Sequence, residues 1–334
     1  MADLLAGDEI DVIGIGNALV DVLSHESEDF LQRQGLVKGT MQLIDEARAR
    51  QLYDAMGPGV EISGGSAANT IVGVASFGGR AHYVGKVRDD QLGEVFSHDL
   101  RSVGVGYTTA AAISGPSTGR CLVVVTPDAQ RTLGTYLGAA VQLGPRDIDA
   151  GLIARGRILY LEGYLYDPPA AQEAFRAAAG LAHAAGRKVA LTLSDPFCVD
   201  RHRAAFLDLV EHHVDILFAN EAEILSLYQV RDFDAALARV RCHCELAALT
   251  RSERGSLIVA DDEVYVVEAH PVPAVVDTTG AGDLYAAGFL FGLSRGLSPA
   301  LCGRLGSLAA AEVISHVGAR PLTPLGELAG ALLA

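Results

Sequence analysis

The segment Asp277-Thr278-Thr279-Gly280-Ala281-Gly282-Asp283, with the small and apolar run 284–290 behind it, has the composition of a phosphate-handling turn. Small residues at 280–282 let backbone N–H groups approach a ligand, and the run after them reads as a buried helix. The start of such a helix is an anion site, because its first N–H groups meet no intrahelical carbonyl and the helix dipole adds positive charge. Asp283 falls in the first turn. There it can take a proton from a hydroxyl nucleophile beside developing phosphate charge, a contribution of about 10²–10⁴-fold in rate. An aspartate in that position also serves simply to complement the helix end, so the segment alone leaves both roles open.

A second glycine cluster, Gly64-Gly65-Ser66-Ala67-Ala68-Asn69, opens a predicted helix over 66–77. Its glycines let a substrate lie against the backbone, and Asn69, one turn into the helix, can donate to and accept from hydroxyls. A tight loop with ordinary capping has the same residues. Asn17 and Asp21 follow the first apolar strand, 11–16. Leu19 stands where a dinucleotide fingerprint needs its third glycine, and Asp21 comes too early to be that fingerprint's ribose-binding acid, which argues against a dehydrogenase. A polar pair at a strand's carboxyl end suits a polyhydroxylated ligand instead.

Asn220 and Glu223 follow the apolar run 215–219, which places them in a βα loop. Their oxygens could hold Mg²⁺, often through water, against nucleotide phosphates, although helix starts commonly look the same. No GxxxxGK[ST] phosphate loop occurs. Cys242-His243-Cys244 leaves one residue between its thiols where zinc pairs need about two to four, and reads as a helix end with buried thiols.

These residues need a scaffold that brings them to one edge. From about residue 157 onward, apolar runs at 158–161, 188–193, 215–219 and 246–250 alternate with amphipathic helical stretches, the pattern of a parallel sheet covered on both faces. The N-terminal part starts the same way and is then interrupted. Residues 120–126 and 131–137 are short β-type runs joined by the turn-like Pro127-Asp128-Ala129, and 19–62 also departs from the alternation. The predicted architecture is α/β: a large catalytic unit with a central, mostly parallel sheet (1–18, 63–106 and 138–334) and a small β-rich lid (19–62 and 107–137).

Bulk composition narrows the partners. At 334 residues, 50% hydrophobic and with no apolar run near the length of a membrane span, the chain reads as globular. The N-terminus, MADLLAGDEIDVIGIGN, is acidic and lacks a basic stretch before its apolar residues, so a cytoplasmic location is expected. A net charge of −15 opposes nucleic acid and anionic lipid. With Lys38, Lys86 and Lys188 as the only lysines, phosphates must be met by arginine, backbone N–H groups and metal ions.

In this order and spacing, the motifs resemble those of the ribokinase-like (PfkB) carbohydrate kinase family, over nearly the whole chain. Within it, Gly16-Asn17 with Asp21, Gly64-Gly65 with Asn69, Thr118-Gly119 before Cys121, Leu191-Thr192-Leu193-Ser194 and 215–221 look most like the adenosine kinase branch. The resemblance implies phosphoryl transfer from ATP to a primary hydroxyl, with Asp283 as catalytic base and Gly280, Ala281 and Gly282 as the anion hole. It places Asn17, Asp21, Gly64, Gly65 and Asn69 at the acceptor, and Arg131 on the lid facing the transferring phosphate. Asn220 and Glu223 match a motif that handles Mg²⁺ and phosphate. Thr250 and Gly255 match a nucleotide-side loop, in which Ser252 stands where many relatives carry glycine. Asp277 and Thr279 match positions that bind K⁺ in ribokinases, with no independent support from the residues. Met41, Leu43 and Glu162-Gly163-Tyr164-Leu165 border the acceptor's other half. Glu162 departs from the apolar wall of animal adenosine kinases and could bond a sugar hydroxyl. The implied partners are ATP and a nucleoside or sugar, and a β-lid is compatible with a homodimer through lid pairing. The alternatives are a ribo- or fructokinase-type sugar kinase, an inosine or guanosine kinase, or an idle nucleotide-binding protein on the same fold.

Overall fold

The computed structural model describes residues 9–128 and 130–333. The acidic stretch 1–8 and Ala129 of the expected turn lie outside the described residues. In chain order the strands are β1 (Ile10–Ile15), β2 (Leu19–His25), β3 (Met41–Leu43), β4 (Gly59–Gly64), β5 (Ala81–Val84), β6 (Gly106–Tyr107), β7 (Gly119–Val125), β8 (Arg131–Tyr136), β9 (Gly156–Glu162), β10 (Lys188–Thr192), β11 (Ile216–Asn220), β12 (Leu246–Thr250), β13 (Ser256–Ala260) and β14 (Glu263–Val267). The principal helices are α1 (Glu28–Gln34), α2 (Glu46–Ala55), α3 (Ser66–Ser76), α4 (Gln91–Ser102), α5 (Ala150–Arg155), α6 (Pro169–Ala184), α7 (Pro196–His212), α8 (Glu221–Tyr228), α9 (Phe233–His243), α10 (Ala281–Ser294) and α11 (Pro299–Val313).

Nine strands form one sheet in the order β14-β13-β12-β11-β10-β9-β1-β5-β6. From β12 to β6 every pairing is parallel, while β13 and β14 close the other edge as antiparallel strands. The residues dictate this burial. β1 reads IDVIGI and every position is buried, as expected for a parallel strand covered on both faces. Val12, Tyr160, Ala190 and Phe218 pack toward α3, α10 and α11, and the alternate residues Ile13, Leu159, Leu191 and Leu217 pack toward α6 through α9.

The other sheet has five strands, β3-β8-β7-β2-β4. The hairpin β7-β8 is antiparallel and β2 lies parallel to β7, so chain segments on either side of α3 and β5 share this sheet. Its strands fall where the sequence departs from simple alternation, although β4 continues to Gly64. The helices α1 and α2 and the antiparallel pair β13-β14 carried no distinct signal. No helix among the described residues is long and apolar enough to cross a membrane. Cys242 and His243 end α9 and Cys244 caps it, as the helix-end reading expects; the Cys244 thiol is buried but that of Cys242 is exposed, and none of the five cysteines forms a disulfide among the described residues.

Helix α10 is buried on nearly all sides, with residues 284–292 in the interior. Glycines bring it close to its neighbours: a Cβ on Gly73 of α3 would lie 2.5 Å from Ala287 Cβ, and one on Gly288 2.4 Å from the Leu305 carbonyl oxygen. This close approach seats the start of α10 against the start of α3.

Candidate active site

The carboxyl ends of the parallel strands converge where strand order reverses around β1, the usual ligand crevice of an open α/β sheet. Asn17 follows β1, Glu162 ends β9 and Asn220 ends β11. Register sets them side by side: Glu162 is opposite Thr192, and Asn220 opposite Thr250.

Asp283 sits in the first turn of α10, half-buried, behind Gly280 in the left-handed conformation (φ +79°). A Cβ on Gly280 would lie 2.8 Å from Ala319 Cβ, so the turn needs glycine there for both backbone and space. Gly282 is exposed, and its N–H falls in the helix's unpaired first turn. The Ala281 N–H is already engaged by the Thr278 carbonyl at 3.2 Å. Ser66 Oγ donates to Asp283 Oδ1 at 2.6 Å and Asn69 Nδ2 donates to Oδ2 at 2.8 Å. Both glycine-rich segments therefore meet at one carboxylate. Burial pushes the Asp283 carboxyl above the usual carboxylate range, against the opposing pull of these two donors and of the Arg320 charge.

Around this carboxylate lie other residues singled out in the sequence. Asp21, on β2, holds its carboxyl over Gly64, where a Cβ would fall 2.3 Å from Asp21 Cγ. Burial raises the Asp21 pKa to about 6, opposed by Arg320 and Arg131. Gly65 has φ +97°, and a Cβ on it would lie 2.3 Å from the Asn17 carbonyl oxygen, so only glycine fits this turn. Asn69 Oδ1 is buried with no hydrogen-bond partner, a free acceptor beside Asp283.

Glu162 is placed in the interior. Its Oε1 accepts from Asn17 N at 3.1 Å and Asn17 Nδ2 at 2.8 Å, and its Oε2 accepts from Ala67 N at 2.7 Å, so it ties the end of β1 to the start of α3. Burial raises its pKa to about 7 against those three bonds. The folded form then binds a proton more readily than the unfolded one. The stability linked to this group is full below about 4.5 and is lost as pH rises through about 7. Unfolding free energy of the ligand-free protein is expected to decline over that window, by roughly 3 kcal/mol at most from this group. Urea unfolding at pH 5, 6, 7 and 8 measures it, and Glu162→Gln should flatten the slope.

Asn220 and Glu223 form a reciprocal cap at the start of α8 rather than an open loop. Asn220 Oδ1 accepts from Glu223 N at 2.9 Å, while Glu223 Oε2 accepts from Asn220 N at 3.0 Å and Oε1 from Asn220 Nδ2 at 2.5 Å. Each oxygen receives a protein donor, so the pair fits contact with a magnesium's waters and not direct ligation. Burial raises Glu223 to about 7. Ser252 adopts φ +53°, a left-handed conformation uncommon for a residue other than glycine. Gly255 has φ +75°, and a Cβ there would fall 2.0 Å from the Val267 carbonyl oxygen. The hydroxyl of Tyr164 donates to the Ser194 carbonyl at 3.2 Å, and burial pushes it well above the usual phenol range. Among the described residues, no three His, Cys, Asp or Glu side chains gather around a metal position.

Arg131 reaches across from the five-stranded sheet. Its Nη2 lies 3.0 Å from Asp277 Oδ2. Asp277 Oδ1 also accepts from Thr279 N at 3.0 Å and Thr279 Oγ1 at 2.7 Å, and Oδ2 from Gly318 N at 2.9 Å. Residues 318–320 were missed by sequence reasoning. They sit in irregular chain after α11, with no motif spacing, and only the folded chain brings them behind the glycine-rich turn before α10.

A model of the pfkB family of carbohydrate kinases matches residues 41–325. The solved structure of the adenosine kinase from Sinorhizobium meliloti is 52% identical, with TM-score 0.89 over 96% of this chain and 98% of that one. A probable sugar kinase from Rhizobium etli CFN 42 is 50% identical, with TM-score 0.90 over 97% of this chain and 98% of that one. The 5-dehydro-2-deoxygluconokinase of Shouchella clausii is 26% identical over 96% of this chain and 95% of its own.

Proposed function

The chain belongs to the pfkB family of carbohydrate kinases, and on that premise we propose that it transfers the terminal phosphoryl group of ATP to the 5′-hydroxyl of a nucleoside, adenosine before others. That it is a sugar or nucleoside kinase, a phosphotransferase acting on an alcohol and using ATP, follows from the family and its neighbours. The finer reading rests on one observation: the Asp283 carboxylate is held by Ser66 and Asn69 at the Gly64-Gly65 turn, where an acceptor hydroxyl and an anion-binding helix start meet.

The acceptor's sugar lies between Asp21, the Gly64-Gly65 backbone and Asn69. Asp283 takes the proton of the hydroxyl as it attacks, and the Gly280 and Gly282 N–H groups with Arg131 face the charge that develops on the transferring group, the Ala281 N–H being engaged by the Thr278 carbonyl. Mg²⁺, usual in this chemistry, would neutralise phosphate charge, with its waters near Asn220 and Glu223. K⁺ near Asp277 and Thr279 is the family's expectation for that loop. The five-stranded sheet acts as a lid that keeps out water, a competing acceptor, and the Arg131–Asp277 contact joins that sheet to the segment leading into α10.

Adenosine is favoured by the likeness to the Sinorhizobium meliloti enzyme. An apolar pocket of about 240 Å³ lies along β3 and the end of β8, lined by Leu43, Ile44, Thr135, Tyr136, Leu137 and Val141, and Leu43 is a residue expected to border the acceptor's other half. A coupled ADP-release assay over adenosine, inosine, guanosine, ribose and fructose tests this. Adenosine is expected to lead in kcat/KM by about 10²-fold. Turnover of the free sugars without the nucleosides would move the assignment to a sugar kinase. Binding of ATP and acceptor with no ADP released would make the protein an idle member of the fold.

A further inference from the structure

We propose that Arg320 is a positioning residue of this reaction, a fork that clamps both sides of the Gly64-Gly65 turn to the loop behind the anion-binding helix start and sets a fixed positive charge facing Asp21 and Asp283. The inference rests on the kinase reading of those two carboxylates.

The geometry is specific. Arg320 Nε and Nη2 donate to the Ser63 carbonyl at 3.2 and 2.6 Å, Nη2 also to Ser63 Oγ at 2.9 Å, and Nη1 to the Ala68 carbonyl at 2.9 Å. Ser63 closes the lid strand β4 and Ala68 lies in the first turn of α3, so one guanidinium bridges the connection between lid and helix. The other side of Ser63 is held as well: its N–H donates to Asp99 Oδ2 at 2.9 Å and its hydroxyl to the same oxygen, from α4. The neighbours of Arg320 in sequence complete the link. The Gly318 N–H donates to Asp277, the partner of Arg131, and Ala319 fills the space beside Gly280. Three consecutive residues thus join the lid arginine, the anion-binding turn and the acceptor turn.

The charge matters because the site is crowded with acids. Asp283 is faced by Ser66 and Asn69 of α3, by Tyr160 and Glu162 of β9, by Tyr164, by Asp21 of β2 and by Arg320. Asp21 is faced by Cys121 of β7, Arg131 of β8, Asp283 and Arg320. Arg320 lowers the pKa of both carboxylates, opposing the burial that raises them. A lysine would keep this charge but, as a single ammonium on a flexible stem, would lack the planar fork that spans two carbonyls.

Arg320→Gln and Arg320→Lys in the full chain separate the two contributions. In Arg320→Gln the acid limb of kcat/KM against pH should move up by about one pH unit, and kcat/KM near neutrality should fall about 10–100-fold, mainly through the acceptor KM. Arg320→Lys should restore the limb and leave the acceptor KM raised by about tenfold. Wild-type pH profiles and acceptor KM values in both variants, with only the thermal midpoint lowered, would reduce Arg320 to a structural anchor and overturn the proposal. If Arg320→Gln does not fold, a wild-type acceptor KM in Arg320→Lys overturns it alone. Hydrogen exchange at residues 63–69 reads the clamp without turnover, so its failure and that of the kinase reading are distinguishable: unchanged exchange in Arg320→Lys sinks the clamp whatever the turnover, whereas faster exchange together with the raised acceptor KM supports the proposal.

Discussion

Asp283→Asn is expected to lower kcat by about 10³-fold while ATP and the acceptor still bind near their wild-type affinities. The substitution is nearly isosteric. Asn69 Nδ2 can still donate to the retained carbonyl oxygen, and the Ser66 hydroxyl, free to rotate, can accept from the new amide instead of donating. The start of α10 therefore keeps its shape, and what disappears is the only group there able to take the acceptor's proton. Burial holds the wild-type carboxyl above the usual carboxylate range, closer to the pH at which a base works best. The sign follows: the base must be ionised, so wild-type kcat/KM falls as pH drops through the raised pKa, and that limb should be absent from the residual activity of the variant. Isothermal calorimetry for binding and a coupled ADP assay for turnover separate the two effects. Wild-type turnover in Asp283→Asn would remove Asp283 from proton transfer.

Much of this arrangement was legible in the chain because each part obeys a local rule. Strands buried on both faces read as continuous apolar runs, which is why β9 through β12 stand out, and the glycines at 65 and 280 mark backbone conformations that other residues resist. The antiparallel pair β13-β14 was less visible. Its outer strand, EVYVV, is half-exposed at the sheet edge and carries a weaker pattern than a core strand. The site followed the same division. Asp283 and Asn69 belong to glycine-rich motifs with a readable chemistry, but their direct bond joins positions 214 residues apart, and no spacing announces it. Glu162 shows why residue type alone misleads. A carboxylate at the end of a strand suggests a ligand contact, whereas here both oxygens are taken up by Asn17 and Ala67. Arg320 lay beyond any sequence signal, because an arginine after a helix is ordinary until the fold carries it back to Ser63.

Arg131→Met is expected to lower kcat by about 10²–10³-fold with little change in acceptor KM, the loss typical of a donor aimed at developing charge. Arg131 begins β8 opposite Val125, and its side chain is only 9% exposed. Its Nη2 is in ionic contact with Asp277 at 3.0 Å but off the line of a hydrogen bond, and neither Nε nor Nη2 has a hydrogen-bond acceptor. Buried guanidinium N–H groups left in that state are costly, and the oxygens of a transferring phosphoryl group would satisfy them. The contact with Asp277 is then the resting position of the arginine, and the arriving phosphate offers the better partner. Asp277 does not depend on Arg131 for its own place, since Thr279 and Gly318 still donate to it. Exchanging the guanidinium for an apolar side chain of similar length leaves the buried Asp277 carboxylate with those donors but without its countercharge, so the thermal midpoint should fall. Turnover is the diagnostic: a purely structural arginine would show the lowered midpoint with kcat preserved. Arg131→Lys should recover only part of the rate, because an ammonium keeps the charge and loses the paired donors that match phosphate oxygens. Full wild-type kcat in Arg131→Met, measured at saturating ATP, would take Arg131 out of the transfer step and leave the backbone N–H groups of Gly280 and Gly282 as the proposed counter to the phosphate charge.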